Sequence, residues 1–151
     1  MDAVSSKMLR GIDKVIKRLN LLGIFDLILA LGAIYTGIMM MGSKTLFTEF
    51  PPEWIHKVPF ESWFAPGIIA IVVFGLGNIM AAYFSFKKNS KHPWLLSAFL
   101  GGIFFTSMIF QVIILGEWYL VTLEFLVFSI IQLSLSASYF RSCRKRDAVM
   151  K

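Results

Sequence analysis

Four apolar blocks divide this chain, and they constrain its fold more than any other feature. They cover residues 19–41, 65–86, 94–115 and 118–140, and each is close to the roughly 20 residues that a helix needs to cross a bilayer. A hydrophobic content of 57% is too high for a soluble domain of 151 residues. The blocks predict an all-α membrane protein: one integral membrane domain (residues 1–151) forming an antiparallel four-helix transmembrane bundle.

The basic residues lie at the ends of these blocks. Thirteen of the fifteen lysines and arginines precede the first block, follow the second or follow the fourth, and only Lys44 and Lys57 lie in the loop of residues 42–64. Positive charge marks the cytoplasmic side of a membrane protein. This distribution predicts a multi-pass protein of the plasma or inner membrane with both termini in the cytoplasm. It also argues against nucleic acid as the partner of a chain with net charge +6.

The first 18 residues form a basic segment with helical periodicity. Val4, Met8, Ile12 and Val15 recur on one face while lysines and arginines occupy the other. Such a segment is typical of helices held in the headgroup region by apolar burial and anionic lipid. We interpret it as a topology anchor continuous with the first span; the alternative is a docking site for a cytoplasmic partner. Residues 141–151 form a second basic segment, a cytoplasmic tail.

Two connections differ strongly in length. The loop of residues 42–64 is rich in aromatic residues, which favours a position on the membrane surface. Within it, the sequence from Pro51 to Trp54 predicts the start of a short interfacial helix. By contrast, Gly116 and Glu117 alone join the third and fourth spans, so these spans are expected to form an antiparallel hairpin.

Small residues share one face in each of the first two spans. The face of the first span also carries the ionisable residue Asp26. Small side chains let neighbouring backbones approach closely, which drives helix packing in lipid, so we expect Asp26 to face protein. The two faces consist of Gly23, Asp26, Ala30, Ala33 and Gly37 in the first span, and of Gly67, Ile71, Gly75, Asn78, Ala82 and Ser85 in the second.

Polar residues within the spans are expected to form two layers. At a rise of about 1.5 Å per residue, Asp26, Asn78 and Gln132 lie about 4–6 Å to the cytoplasmic side of the midplane. Gln111 and Glu124 lie about 7–10 Å to the other side. We interpret the inner layer as an interhelical hydrogen-bond cluster. The alternative makes Asp26 a proton-titrating or ligand-binding carboxylate.

The outer layer also permits two interpretations. Glu124 is close enough to the interface to reach water, Trp118 or Gln111. Alternatively it is the polar anchor of a pocket beneath the aromatic loop that binds a lipid or another amphiphile. The two acids differ by about 13 Å in depth, so they do not form a catalytic pair. The candidate binding residues are Asp26, Asn78, Gln132, Gln111, Glu124, Trp63 and Trp118.

The sequence offers little for catalysis, metal binding or cofactors. A single cysteine, Cys143, excludes an intramolecular disulfide, and it is either a free thiol or an acylation site beside the last span. The two histidines, His56 and His92, are expected on opposite sides of the membrane, so no metal or haem site is predicted. Phosphate-binding glycine loops, HExxH and GxSxG are absent from the sequence. These observations favour a protein that is not an enzyme and has no cofactor.

The segment entering the second span carries a recognisable pattern. It consists of Trp54, Pro59-Phe60, Ser62-Trp63, Pro66-Gly67, Gly75 and Asn78. It resembles a pattern of small uncharacterised four-helix integral membrane proteins of bacteria, over residues 20–140. The resemblance implies a fold and a membrane location, and no activity. The four-span arrangement is also similar to DoxX-like and vitamin K epoxide reductase-like proteins, although the missing cysteine pair excludes quinone–thiol chemistry.

Two functional hypotheses follow from these patterns. The first is an accessory or interacting membrane subunit, or a self-associating bundle, which the small-residue faces and basic flanks favour. The second is a transporter or binder of a small molecule, lipid or proton that uses Asp26 or Glu124. The expected partners are membrane lipids and either another membrane protein or a second copy of the chain.

Overall fold

The protein is a bundle of four helices, as the apolar blocks predict. The computed structural model describes residues 3–42, 54, 56–87, 92–116, 118 and 120–149. Its helices are α1 (Ala3–Met41), α2 (Phe64–Phe86), α3 (Pro93–Leu115) and α4 (Leu120–Val149). Each contains a stretch long and apolar enough to cross a membrane, and no strand occurs in the described part of the chain. This confirms a multi-pass, all-α membrane protein. The interfacial helix predicted at Pro51 lies outside the described residues.

Two helices are longer than the apolar blocks that they contain. The N-terminal basic segment and the first span form one uninterrupted helix of 39 residues. The fourth helix continues past the apolar block to Val149 and takes in most of the basic tail. Neither helix contains a proline, the residue that most often ends or kinks a helix. The position of the first 18 residues relative to the membrane surface stays a prediction.

Each helix packs against its sequence neighbours, and α4 returns to α1. Contacts are extensive between α1 and α2, α2 and α3, α3 and α4, and α4 and α1, whereas α1 and α3 share few contacts. Successive helices run in opposite directions. We call the side of the bundle that holds Arg18 and Arg141 the terminal side, and the side that holds Met41 and Leu115 the loop side.

The α1–α2 contact depends on glycines of the small-residue faces. A Cβ atom added to Gly37 would lie 2.7 Å from the carbonyl oxygen of Gly67, and one added to Gly67 would lie 2.6 Å from that of Gly37. Closer to the terminal side, a Cβ on Gly23 would meet the ring of Phe86 at 2.9 Å. The two faces therefore meet, and their backbones approach to a distance that only glycine permits.

Helix α2 contains an irregular segment just before Asn78. Residues Ala70–Leu76 form π-helical turns, in which an extra residue per turn changes which side chains face the bundle. The side-chain amide of Asn78 donates a 2.7 Å hydrogen bond to the carbonyl oxygen of Phe74 in that segment. This bond fixes the orientation of Asn78, whose amide oxygen remains available to another helix.

On the loop side, a glycine turn ends α3 and a lysine of the long loop bonds to the last residue of this helix. Gly116 ends α3 with φ of 71°, a left-handed conformation that suits glycine, and its N–H donates to the carbonyl of Val112 at 2.9 Å. The ammonium group of Lys57 donates to the carbonyl of Leu115 at 3.0 Å. A cation at this position interacts favourably with the negative end of the α3 dipole. Part of the long loop is thus attached to the α3–α4 hairpin.

Replacing Gly37 by alanine should destabilise the bundle, because the new methyl group would overlap the backbone of α2. We expect the free energy of unfolding to fall by about 1–3 kcal/mol, the usual effect of overpacking. Gly32→Ala is the matched control, since a Cβ there meets nothing within 4 Å. It should leave stability unchanged or raise it by up to about 1 kcal/mol. Unfolding in mixed micelles, followed by circular dichroism, measures both. Equal effects would contradict the close α1–α2 contact.

Candidate functional site

One residue from each helix contributes to a hydrogen-bonded group inside the bundle. The side-chain amide of Gln132 donates to Asp26 Oδ1 at 2.9 Å and to Asn78 Oδ1 at 2.7 Å. The hydroxyl of Ser97 donates to Asp26 Oδ2 at 2.5 Å. We call these four residues, Asp26, Asn78, Ser97 and Gln132, the Asp26 cluster. The structure therefore brings together the three residues of the inner layer and adds a fourth.

The Asp26 cluster is buried throughout. None of its four side chains is more than 2% exposed. Polar groups at this depth in a membrane are costly unless they are hydrogen-bonded, and here each of the four side chains bonds to a side chain of another helix. The hydrogen-bond partners of Asp26 are both neutral. The cluster is therefore a set of mutual hydrogen bonds in which one member is ionisable.

Two buried oxygens near the cluster remain without a partner. Gln132 uses both hydrogens of its amide nitrogen, but its amide oxygen accepts no hydrogen bond, and neither does the hydroxyl of Ser85. The amide oxygen lies against α3, where a Cβ added to Gly101 would approach it to 3.2 Å. Because Gly101 has no side chain, there is room beside α3 for the side chain of Gln132.

Aromatic side chains cover the cluster toward the loop side. The ring centroids of Phe74 and Phe104 are 5.0 Å apart, and those of Phe104 and Phe125 are 5.6 Å apart. Phe104 and Phe125 each lie seven residues, about 10 Å along the helix, from Ser97 and Gln132 respectively. The row joins α2, α3 and α4 and separates the Asp26 cluster from the loop side.

Toward the terminal side, α1 and α4 are joined by an arginine. One terminal nitrogen of Arg18 (Nη1) donates to the carbonyl and the hydroxyl of Ser138, both at 2.8 Å, and to the hydroxyl of Ser142 at 2.7 Å. Between this contact and the cluster lie the buried side chains of Leu22 and Tyr139. The cluster is therefore enclosed on this side also.

The two residues of the outer layer, Gln111 and Glu124, have different surroundings. The amide of Gln111 donates to the hydroxyl of Thr122 at 3.3 Å, whereas Glu124 is exposed on the surface of the bundle. Two residues correspond to about 200° around a helix, so Thr122 and Glu124 point in nearly opposite directions. Trp118 is 70% exposed, and Trp63 is half-buried immediately before α2. Among the described residues, Gln111 and Glu124 are therefore not joined in one polar contact.

Ser97 is the member of the cluster that sequence reasoning missed. A serine within a membrane helix is by itself a weak signal. Its hydroxyl is able to bond to the backbone of its own helix instead, as that of Ser129 does to the carbonyl of Leu126 at 2.7 Å. The position of α3 beside α1 shows that the Ser97 hydroxyl bonds to Asp26 and not to the backbone of its own helix.

The chemistry available to the cluster is limited. It contains one carboxylate and three neutral hydrogen-bonding groups, and it has neither a histidine nor a thiol. No group of His, Cys, Asp and Glu suited to a metal ion occurs among the described residues. Cys143 is a half-buried free thiol near the end of α4. The cluster is suited to holding four helices together, with Asp26 as its single titratable member.

Comparisons with known proteins add no assignment: no family model matches this chain, and no curated protein or solved structure is significantly similar to it.

Ser97→Ala should destabilise the protein more than Ser129→Ala. Both serines are fully buried, and both changes remove one hydroxyl. Ser97 bonds to the carboxylate of Asp26 across the bundle, whereas Ser129 bonds within its own helix. We expect a loss of about 1–2 kcal/mol in the free energy of unfolding for Ser97→Ala and less than about 1 kcal/mol for Ser129→Ala. Denaturation in mixed micelles provides the measurement, and the reverse order would contradict a structural role for the cluster.

Proposed function

We propose that this protein is a non-enzymatic membrane protein that acts as an accessory or interacting subunit within the bilayer. One observation carries the proposal: the buried polar side chains of all four helices bond to one another in the Asp26 cluster. Groups engaged in this way stabilise the arrangement of the helices. Since the interior polar groups bond to one another, other molecules interact with the outer surface of the bundle.

The surroundings of the cluster support this proposal. The phenylalanine row covers it toward the loop side, and Leu22 and Tyr139 lie toward the terminal side. A solute would reach Asp26 only if helices separated, which would break bonds that link all four of them. Large apolar side chains are exposed on every helix, so partner proteins meet the bundle through lipid-facing surfaces.

The proposed orientation follows from charge. Thirteen of fifteen lysines and arginines precede the first apolar block, follow the second or follow the fourth, so we assign the terminal side to the cytoplasm. The resemblance of the segment between Trp54 and Asn78 to small bacterial membrane proteins supports the inner membrane as the location. In this orientation Glu124, Trp118 and the aromatic loop lie on the outer side.

Native mass spectrometry of the tagged protein, extracted gently from its own membrane, tests the proposal. The expected result is a stoichiometric complex with a second polypeptide, either another membrane protein or another copy of the chain. Asp26→Asn should leave this complex intact, because an asparagine side chain still accepts a hydrogen bond at the same position and does not alter the surface. A monomer carrying a small molecule that Asp26→Asn removes would contradict the proposal.

The second candidate function is the handling of a proton or small solute at Asp26. The unpartnered amide oxygen of Gln132 favours it, because a buried acceptor beside the bonded carboxylate offers a site for one more donor. In proteoliposomes this function predicts a proton or solute flux that Asp26→Asn abolishes. Asp13→Asn is the control, since it removes the same charge from an exposed position on the same helix. A flux that survives Asp26→Asn would exclude this candidate.

A further inference from the structure

A basic-ended groove lies on the outer surface of α4, apart from the Asp26 cluster. Its volume is about 430 Å³, and the described residues that line it are Leu133, Ser134, Ala137, Ser138 and Arg141. Ser134, Ala137 and Arg141 are exposed, and they lie on the side of α4 opposite the buried residues Gln132 and Ser136. The groove therefore opens outward, toward lipid.

The shape of the groove comes from a change in side-chain size along one face of α4. Nearer the loop side, this face carries the large exposed residues Leu123, Val127 and Ile130. At the same helical spacing toward the terminal side, it carries Ser134 and Ala137. The change leaves a depression beside a bulky apolar surface, a shape that accommodates an acyl chain.

One guanidinium group lines the terminal end of the groove, and a second bonds to a residue of its lining. Arg141 is exposed, and it has no hydrogen-bond or ion-pair partner among the residues that the structure describes. Arg18 reaches the groove from α1, because its Nη1 donates to the hydroxyl of Ser138 in the lining. The Nε and Nη2 donors of Arg18 remain available. Guanidinium groups bind phosphate oxygens with paired hydrogen bonds.

The depth of the arginines matches that of lipid phosphates. Arg141 lies nine residues, about 13 Å along the helix axis, from Gln132 toward the terminal side. The hydrocarbon core extends about 15 Å on each side of the midplane, and Gln132 lies about 4 Å to the terminal side of it. Arg141 is therefore placed at the boundary between acyl chains and headgroups, with Ser134 and Ile130 on the hydrocarbon side.

We propose that this groove is a binding site for an anionic phospholipid of the leaflet at the terminal side. Its phosphate is held by Arg141 and the free donors of Arg18, and one acyl chain lies along Ser134, Ala137 and Ile130. Charge complementarity selects an anionic lipid over a zwitterionic one, since two positive charges face the headgroup. The site does not rest on the proposed subunit function, because no partner polypeptide contributes to it.

The same charges disfavour a second copy of the chain as the occupant. A symmetric dimer that buried this face of α4 would bring the two copies of Arg141 toward each other across the interface. Like charges at short distance in a medium of low polarity repel strongly. A lipid phosphate removes this repulsion and supplies acceptors for Arg141 and for the free Nε and Nη2 donors of Arg18.

Native mass spectrometry of the full chain in detergent, titrated with phosphatidylglycerol or phosphatidylcholine, tests the site. We expect one phosphatidylglycerol to be retained per chain, and phosphatidylcholine to be retained at least fivefold more weakly. Arg141→Gln should weaken phosphatidylglycerol binding about fivefold, the effect of one arginine near an anionic lipid. Ser134→Leu should weaken it similarly by filling the groove without changing charge. Both positions are exposed, so folding should be unaffected, which circular dichroism verifies.

Arg144→Gln is the matched control. It removes the same charge from an exposed residue less than one turn further along α4, outside the groove lining. It should change phosphatidylglycerol binding less than twofold. An equal effect of Arg144→Gln and Arg141→Gln would overturn the site in favour of general attraction to the basic surface. Equal retention of the two lipids, or a dimer that Ser134→Leu converts to monomer, would also overturn it.

Discussion

The hydrogen bonds between Asp26, Ser97, Gln132 and Asn78 are the interaction on which the rest of this structure depends. In lipid the hydrophobic effect does not draw helices together, so association relies on close packing and on polar contacts. Each bond contributes only about 0.6 to 1.7 kcal/mol. Together they have a larger effect on which helix arrangement forms, because all of the bonds are made only when the four helices have one order and one register. A carboxylate that is costly to bury thus selects a single arrangement.

Other contacts support that arrangement at each level of the bundle. Glycines bring α1 and α2 together nearer the loop side, where the backbones of Gly37 and Gly67 meet. On the loop side of the cluster, the phenylalanine row joins α2, α3 and α4. At the two ends, Lys57 attaches the long loop to α3, and Arg18 attaches α1 to α4. Polar groups therefore act inside the bundle and at its ends, while the outer faces between them are mostly apolar.

This division has a functional consequence. Because the interior polar groups bond to one another, we expect other molecules to be recognised through differences in the size and charge of the exposed side chains. On α4 that difference is the change from large apolar residues to the groove that ends at Arg141. The proposed lipid site and the proposed subunit role both depend on recognition through the outer surface of the bundle. In both, a rigid bundle presents a surface to the bilayer, and Asp26 contributes to it indirectly by holding the helices in place.

The fold class follows from the amino-acid sequence, since blocks of about 20 apolar residues have few alternatives to membrane-spanning helices. The sequence also indicates that Asp26, Asn78 and Gln132 share one level, because depth follows from position along a helix. Side-chain partners depend in addition on which helices are neighbours and how each is rotated. For that reason the packed structure is needed to show that Ser97 completes the cluster, that Gln111 bonds to Thr122 and that Glu124 faces outward. The π-helical turns before Asn78 and the groove on α4 depend on the same rotations, which arise from packing between helices distant in sequence.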